Sequence, residues 1–457
     1  MYNRLQTTLK LTPALLAILA WPLGAAEEQP FRLMTLAPGH FHAALVQKQT
    51  YPDVSPVVHI YAPPGPDLAL HLERIEKFNT RAEKPTAWKT INYTGDDYRE
   101  KMIAERPGNV VVIAGNNRDK TRHIFESIQG GFHVLADKPM AITPDDFQLL
   151  KQAIALAAEK KLLLLDIMTE RHEITTRLQR FFAHREDLFG GLDPGSPEDP
   201  SVTKESVHHF YKTVAGAPLQ RPQWFYDARQ QGEGIVDVTT HLVDMVQWEL
   251  FPERAIGLDE STVLSARTWK TGVSLEQFAR STKTDAFPDY LRDYLDEKGT
   301  LQIPCNGEFV FRLGGIHAKV SVTWNYEAPA GAGDTHYSLM RGKKIAAVIR
   351  QGAAQNYRPS LYLEPRPGVK SVELEAPLKA ALAEAQRLWP GVDLRKTEAG
   401  WEVVIPASYR IGHEAHFGQV TENFLRYLRT GHLPDWETPN MLAKYRTIMD
   451  AYRMSRQ

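Results

Sequence analysis

Between residues 31 and 167, short apolar strands alternate with segments of helical periodicity, and this alternation constrains the fold more than any other feature. The predicted strands are Phe31–Leu36, Val57–Tyr61, Asn109–Ala114, Phe132–Ala136 and Lys161–Ile167. Helices are predicted at Leu68–Phe78 and Phe147–Lys160. One further helix is predicted to begin near Phe41, and another to end at Gly130. Strands that alternate with helices predict a doubly wound parallel sheet, which binds ligands outside the carboxyl ends of its strands.

Beyond residue 180 the pattern changes to strands that follow one another through short turns. The predicted strands are Ser201–Lys212, Ser261–Lys270, Glu308–Leu313, His317–Glu327, Tyr337–Arg350 and Trp401–Pro406. The predicted helices are Gly234–Phe251, Pro288–Lys298, His416–Arg429 and the stretch after Pro439. This pattern favours an α+β domain with a mainly antiparallel open sheet. We therefore expect a dinucleotide-binding Rossmann domain over residues 27–170 and a substrate-binding domain over residues 171–457.

The first 26 residues differ in character from the rest of the chain. A basic start is followed by the apolar run Leu11–Leu23 and by the small residues Gly24-Ala25-Ala26, which is typical of a secretory signal peptide. The run contains Pro13 and Pro22 and is shorter than the roughly 20 apolar residues of a membrane span. We expect residues 1–26 to be removed and the protein to be periplasmic or secreted, without stable membrane insertion. Its single cysteine excludes an intrachain disulfide.

Charge and histidine spacing argue against two classes of partner. The formal net charge is −1, and no stripe of basic residues suggests a nucleic acid as partner. Histidines recur at His40 and His42, at His208 and His209, and at His413 and His416. None of these has the H-E-x-x-H spacing, and neighbouring or alternating side chains on a strand or turn are expected to point apart. We therefore predict no metal site.

A turn follows the first predicted strand at the place where a dinucleotide-binding fold holds a pyrophosphate. The fingerprint there is G-x-G-x-x-G, but this chain reads Ala-Pro-Gly-His-Phe-His and keeps only the middle glycine. Backbone approach to phosphate is closest at that middle position, so the candidate cofactor-binding residues are Gly39, His40, Phe41 and His42. Asp67 is the nearest acidic candidate for a ribose hydroxyl, and the lack of an arginine favours NAD over NADP. The alternative is an ordinary strand-to-helix turn.

Two later features carry more chemistry. Lys138 follows a buried strand, where it could hydrogen-bond a substrate hydroxyl. Asp237 and His241 stand four residues apart in a predicted helix, so their side chains should share one face. Histidine is suited to accept a proton near neutral pH, and a carboxylate one turn away could orient it or bind a second hydroxyl. The alternatives are a solvated lysine and a salt-bridged helix.

Together these residues resemble the glucose–fructose oxidoreductase and inositol dehydrogenase family (Gfo/Idh/MocA). The resemblance rests on the Asn116-Asn117 loop, on Asp137-Lys138-Pro139 and on the glycine-led segment with Asp237 and His241. It covers about half of the chain, and the segment after Leu250 looks like the long carboxyl-terminal domain of an exported branch. Two positions depart from the family pattern: Asp137 replaces a glutamate, and Lys120 replaces a histidine.

The resemblance implies hydride transfer between a nicotinamide and a secondary carbinol carbon of a sugar or polyol. It implies His241 as general base, Lys138 as the group that polarises the reacting oxygen, and Asp237 as the ligand of a neighbouring hydroxyl. It also implies cofactor contacts at Ala114, Asn116, Asn117, Asp137 and Lys138.

Further candidates for substrate binding lie around this predicted centre. They are Thr169, Arg171 and His172 after the last Rossmann strand, and Lys212, Trp224, Trp324, His336 and Arg341 on the second domain. Aromatic faces suit the C–H surfaces of a sugar, which is the reason for including the two tryptophans. For each residue, structural pairing or core packing is the alternative.

Three functions remain open from the sequence. The first is an NAD-dependent oxidoreductase of a sugar or polyol, with NADP less favoured. The second is a glycosidase that keeps NAD bound and oxidises, eliminates and reduces in turn, and the third is a sugar-binding protein without catalysis. Open antiparallel sheets often pair between subunits, so a homo-oligomer is also expected.

Overall fold

The computed structural model describes residues 30–214 and 217–457. The predicted signal segment, residues 1–26, lies outside the described residues. Within the described part, the chain forms a six-stranded sheet, a nine-stranded sheet and a two-stranded ribbon.

The amino-terminal half alternates strands and helices. Its elements are β1 (Leu33–Leu36), α1 (His42–Leu45), β2 (Val57–Tyr61), α2 (Pro66–Thr80), β3 (Lys89–Tyr93), α3 (Tyr98–Glu105), β4 (Val110–Ile113), α4 (Asn117–Gln129), β5 (His133–Asp137), α5 (Pro144–Glu159) and β6 (Leu164–Ile167). The strands pair in parallel in the order β3-β2-β1-β4-β5-β6. This confirms the predicted doubly wound sheet.

The central strands are apolar because both of their faces are covered. All four residues of β1 and all four of β4 are buried, as parallel sheets with helices on both sides require. The strand order reverses between β1 and β4, so the crevice for a ligand opens at the carboxyl ends of these strands. The loops after β1, β4 and β5 therefore meet at one edge.

Strand β3 and helix α3 were not predicted from the sequence. Strand β3 lies at the edge of the sheet, and its side chains are exposed or half-buried. Its composition, Lys-Thr-Ile-Asn-Tyr, lacks the continuous apolar run that marks the central strands. An edge strand buries too little surface to require such a run, and the pattern search therefore missed it.

The second half is built around the nine-stranded sheet. Its elements are α6 (Ile174–Ala183), α7 (Glu186–Phe189), β7 (Val202–Tyr211), β8 (Thr213–Val214), β9 (Ala217–Pro218), α8 (Ala228–Gln231), α9 (Thr239–Leu250), β10 (Ser261–Val273), α10 (Leu275–Thr282), β11 (Leu301–Leu313), β12 (Ile316–Glu327), β13 (Thr335–Arg341), β14 (Ile345–Arg350), β15 (Ser360–Pro365), α11 (Ser371–Leu388), β16 (Asp393–Lys396), β17 (Trp401–Val404), α12 (His413–Thr430) and α13 (Glu437–Met454). The strand order is β10-β11-β12-β7-β13-β14-β15-β17-β16. All pairs are antiparallel except β12 with β7, which confirms the mainly antiparallel sheet.

Two predicted elements of this half were wrong in detail, and one helix was not predicted. The predicted strand Tyr337–Arg350 is a hairpin, β13 and β14, because the chain turns at residues 342–344. The predicted helix Pro288–Lys298 is only a short 3-10 helix, Asp289–Tyr294. Helix α11 was not predicted, although it is 18 residues long. Much of α11 is exposed, so its apolar periodicity is weak.

The predicted helix Gly234–Phe251 begins later than expected, at Thr239. Gly234 packs so closely on β11 that an added Cβ would lie 1.8 Å from the Cys305 carbonyl oxygen. Its N–H donates to the carbonyl of Pro304. These contacts hold residues 234–238 in a turn, and Asp237 therefore lies before α9.

The last two helices connect the two sheets. Phe417, Val420 and Phe424 of α12 belong to the same apolar core as Leu33 of β1 and Val58 of β2. Helix α13 packs against α5, α9 and β10. The boundary predicted at residue 170 stays a prediction, and the chain that follows it completes the core of the first sheet. Among the described residues, no helix has both the length and the apolar character needed to cross a bilayer.

Candidate active site

The loops after β1 and β4 touch at the carboxyl edge of the first sheet. A Cβ added to Gly115 would lie 2.1 Å from the carbonyl oxygen of Ala37, so only glycine allows this approach. Ala37 itself has a φ of 45°, which is unusual for a residue with a side chain. The carbonyl of Ala114 accepts hydrogen bonds from the N–H groups of Gly39 and His40. The two loops are thus held as one rigid edge.

Lys138 and Asp237 form an ion pair beside this edge. The Lys138 Nζ lies 2.8 Å from Asp237 Oδ1, and the two side chains are only 10% and 7% exposed. Gln231 donates to the other carboxylate oxygen at 3.0 Å. Burial by itself would raise the pKa of Asp237, but the charge and hydrogen bond of Lys138 outweigh burial and hold that pKa below its ordinary value. The carboxylate is therefore ionised, and it anchors the lysine.

His241 lies near this pair but is not bonded to Asp237. Its Nδ1 is buried and has no hydrogen-bond partner among the described residues. The prediction that Asp237 would orient His241 from the same helical face is therefore wrong, because Asp237 precedes α9 and its carboxylate turns to Lys138 and Gln231. Burial, followed by the charge of Lys138, lowers the pKa of His241 to about 3. At neutral pH the imidazole is therefore uncharged.

Glu170 is a further charged group here, and the sequence analysis did not single it out. It lies in a 3-10 helix, Thr169–His172, and pairs with His413 of α12 at 3.2 Å. Burial would raise its pKa, but the bond and charge of His413, with the charges of His241 and His416, lower it below the ordinary range. The charge of Glu170 in turn raises the pKa of His241 against burial. No sequence spacing relates Glu170 to His413, and only the fold brings them together.

The glycine loop faces Asp67 and Trp224. The Trp224 indole Nε1 donates to Asp67 Oδ2 at 2.8 Å. A Cβ on Gly39 would lie 2.8 Å from the same Oδ2 and 3.2 Å from the Trp224 ring, so the surviving glycine admits both side chains. Burial raises the pKa of Asp67. Asp67 thus lies directly beside the loop, although it comes several residues after β2.

The side chains of the predicted Asn116-Asn117 loop bond to the second half of the protein. Asn116 Nδ2 donates to Gln230 Oε1 and Asn117 Nδ2 to the Gln231 carbonyl, both at 2.7 Å. Asn116 Oδ1 also accepts from the N–H of Arg118 as the cap of α4. These amides join the β4 loop to α8, and this geometry gives their predicted cofactor contact no direct support.

Two histidines and a lysine contact Asp137. His42 Nδ1 lies 3.0 Å and His40 Nδ1 3.5 Å from Asp137 Oδ2, and the two imidazole rings are 4.0 Å apart. The expectation that these alternating histidines point apart was wrong, because α1 begins between them and turns both rings to the same side. Lys120, which is 1% exposed, donates to the Asp137 carbonyl, and burial lowers its pKa to about 8. Phe41 packs against both rings.

Several predicted substrate residues are engaged within the protein. Arg171 donates to Asp244 and Glu437, and Arg341 donates to Asp199, so both guanidinium groups serve ion-pair networks rather than an open site. Lys212 pairs with Asp334. Each of these three cations thus has a carboxylate partner, which is the alternative of structural pairing, and their part in substrate binding stays a prediction.

The remaining candidates are aromatic rings. Trp324 is 5% exposed and packs with His208, Phe210 and Phe225 beside a narrow cleft that reaches Asp237. His336 Nε2 has no partner among the described residues, and burial lowers the pKa of this histidine to about 4. His172 lies 6.4 Å from His416, ring to ring. Their part in substrate binding stays a prediction.

The carboxyl-terminal part of the chain matches a known family model. Residues 178–456 match the family described as "Putative oxidoreductase C terminal domain". A solved structure from Parabacteroides merdae, described as a putative oxidoreductase, is 53% identical; it covers 94% of this chain and 98% of its own, with a TM-score of 0.92.

Two other relatives are more distant. The 1,5-anhydro-D-fructose reductase of Ensifer adhaerens is 24% identical over 208 residues, which are 44% of this chain and 56% of that protein. The present chain therefore matches just over half the length of that reductase. Levoglucosan dehydrogenase in complex with NADH and L-sorbose is 14% identical, covers 93% of this chain and 97% of its own, and has a TM-score of 0.58, which shows a shared fold. The chain belongs to the family described as the putative oxidoreductase C-terminal domain, and it is similar to oxidoreductases of the Gfo/Idh/MocA type.

Proposed function

We propose that the protein transfers a hydride between a nicotinamide dinucleotide, preferably NAD, and a secondary hydroxyl-bearing carbon of a sugar or polyol. The observation that carries the proposal is the arrangement of Lys138, Asp237 and His241 at the carboxyl edge of the parallel sheet. A buried cation and an uncharged imidazole with an unpartnered nitrogen lie together where such sheets bind ligands. Their residue types suit the oxidation of an alcohol or the reduction of a ketone.

The residues present fit a dinucleotide at both ends of this edge. Asp67 lies beside Gly39, and a carboxylate next to the glycine loop suits a ribose hydroxyl but repels a 2′-phosphate. Lys138 and His241 suit the reacting end. In the middle, the N–H groups of Gly39 and His40 already donate to Ala114, so they supply less to a pyrophosphate than a full glycine fingerprint would. Asp67 should therefore contribute more than the loop to affinity.

When bound, the nicotinamide supplies or accepts the hydride. In the oxidation direction, His241 accepts the hydroxyl proton on its unpartnered nitrogen. Burial alone would leave this imidazole a weak base, and the charge of Glu170 acts against that effect. The ammonium of Lys138 donates a hydrogen bond to the same oxygen, and Asp237 holds that ammonium in place. The charge of Glu170 stabilises the imidazolium that forms on His241. Asp237 is thus assigned as a positioning residue, which revises its predicted role as a ligand of a second hydroxyl.

The first test is nucleotide binding. Purified protein is denatured and examined for released NAD(H) by absorbance and mass; nucleotide-free protein is then titrated with NAD and NADP while tryptophan fluorescence is recorded. Because Trp224 lies against Gly39, NAD should quench its emission, and Trp224→Phe identifies that share of the signal. Asp67→Asn should weaken NAD binding about tenfold and narrow the preference over NADP. Protein that neither carries nor binds a nucleotide would contradict the proposal.

The second test measures turnover with a panel of sugars and polyols, and the formation of NADH is the readout. His241→Gln should lose turnover while it keeps NAD affinity. Release of an aglycone from aryl glycosides, with bound NAD and no net NADH, would instead support the glycosidase that recycles its cofactor.

A further inference from the structure

Three potential metal ligands converge at the edge of the first sheet. His40 precedes α1, His42 begins it, and Asp137 ends β5. One donor atom from each lies within 4.8 Å of the donor atoms of the other two. The three side chains are 15%, 9% and 4% exposed, so the cluster is nearly enclosed and open mainly at His40.

The spacing of the donors suits a coordination shell. Bonds of about 2.1 Å from nitrogen and oxygen give donor-to-donor distances of about 3.0 Å at right angles and about 3.4 Å in a tetrahedron. The two imidazole nitrogens lie 3.0 Å and 3.5 Å from Asp137 Oδ2. The longer distance exceeds a normal hydrogen bond, and His40 Nδ1 has no hydrogen-bond partner among the described residues although it is buried. A buried nitrogen aimed at a carboxylate without a bond is the feature that points to a missing ligand.

The protonation states agree with this geometry. Burial lowers the pKa of His42 to about 4 and that of His40 below its ordinary value, so both imidazoles keep a lone pair at neutral pH. Burial would raise the pKa of Asp137, but the charges of His42 and Lys120 and the bond to His42 lower it. Two neutral imidazoles and one carboxylate are the forms that bind a metal ion.

We propose that His40, His42 and Asp137 bind one divalent transition-metal ion with at least one coordination position open to a small molecule. Imidazole and carboxylate donors suit Zn²⁺ and Fe²⁺. Magnesium and calcium depend on oxygen ligands and carboxylate charge, which a single aspartate beside the ammonium of Lys120 does not supply. The charge of Lys138 acts on both His40 and His42, so an oxygen on the open position would lie close to the proposed catalytic centre.

This inference revises the expectation of no metal site and does not rest on the proposed function. Three protein ligands with an open position are typical of a metal that acts on a bound molecule rather than one that only stabilises a fold. The alternative is a hydrogen-bonded cluster that holds Asp137 in place without any ion.

The test uses the full chain. Protein is stripped with a chelator, its residual metal is measured by mass spectrometry, and ZnCl₂ is added in a calorimeter; Co²⁺ then serves as a visible spectroscopic probe. We expect one equivalent of Zn²⁺ per chain. His42→Gln and Asp137→Asn should lower the affinity at least about 100-fold, more than loss of an outer partner causes. His40→Gln should lower the Zn²⁺ affinity by the same factor. Because His40 is the least buried of the three ligands, this variant still tests the site if the other two variants misfold.

His413→Gln is the matched control. Its ring lies 6.1 Å from that of His42, yet it is outside the three-donor set, and it should keep full Zn²⁺ binding. Wild-type protein that retains no metal and gives no heat with ZnCl₂, or an equal loss in His413→Gln, would overturn the proposal. Because NAD binding is measured separately, a failure here leaves the proposed oxidoreductase activity intact.

Discussion

Two buried charge networks join the halves of this protein, and they differ in how completely their cations are paired. In the first, called here the closed network, Arg171 and Lys444 each contact two carboxylates among Asp166, Asp244 and Glu437. In the second, Lys138 contacts a single carboxylate among the described residues, Asp237. Both networks lie between the same two sheets.

The difference separates stability from binding. Each cation of the closed network meets two carboxylates; Lys444 is fully buried, and the Arg171 side chain is 13% exposed. At Lys138, the nearby His241 and His40 retain buried nitrogens without hydrogen-bond partners. Buried polar atoms without partners are unfavourable unless a ligand supplies the missing bond. Asp166 Oδ1 of the closed network also lacks a hydrogen-bond partner, so the distinction rests on the cations. We interpret the network with doubly paired cations as structural and place the proposed binding site at Lys138.

The largest effect is expected from Lys444→Met. This change leaves Asp166 and Asp244 with one cation fewer in a buried site, and such losses destabilise by about 3–5 kcal/mol. The free energy of unfolding, measured by urea titration, should fall by this amount. A loss below about 1 kcal/mol would contradict the structural assignment of the closed network.

Lys138→Met should differ from Lys444→Met by its direct effect on turnover. We expect turnover to fall about 10³-fold, because the hydrogen bond to the reacting oxygen is lost. Stability should fall as well, by about 3–5 kcal/mol, because Lys138 is the only ion-pair partner of the buried Asp237 among the described residues, although Gln231 still bonds that carboxylate. Steady-state kinetics below the melting temperature measure the turnover of this variant, and a thermal melt measures its stability. Turnover equal to that of wild type together with lowered stability would make Lys138 a structural residue.

The dependence of stability on pH should distinguish the contribution of a buried histidine from that of the charge networks. Burial lowers the pKa of His123 on α4 from 6.5 to about 4. A group with a lowered folded pKa takes up protons more readily when unfolded, so stability is full above about pH 6.5 and is lost as the pH falls towards about 4. At about pH 5 this one histidine removes about 2 kcal/mol.

His123→Gln tests that share. Relative to wild type, its free energy of unfolding should fall about 2 kcal/mol less between about pH 7 and about pH 5. An identical pH dependence would mean that other groups, such as the carboxylates of the closed network, dominate acid unfolding.

The smallest effect is expected from Trp224→Phe. It removes the hydrogen bond to Asp67 but keeps an aromatic ring against Gly39, so stability should fall by about 1 kcal/mol. Chemical denaturation measures this change. A much larger loss would place Trp224 with the structural residues rather than at the edge of the site.

The sequence by itself determined the parallel sheet and which segments of the chain form the candidate site at its carboxyl edge. Continuous apolar runs such as β4 report burial on both faces, and parallel strands bring their carboxyl ends to one edge, so Gly39 and Lys138 could be placed there in advance. The edge strand β3 and the exposed helix α11 escaped, because weakly buried elements need no strong apolar pattern.

Only the tertiary structure decided which charged groups are partners. Asp237 and His241 are close in sequence, yet the packing of Gly234 on β11 moves Asp237 ahead of α9 and towards Lys138. Arg171 pairs with Glu437, and Glu170 pairs with His413, although more than two hundred residues separate the partners in the sequence. Ionic contacts of this kind depend on distances of a few ångströms between separate elements. A local pattern cannot contain them, because they exist only once both sheets have packed.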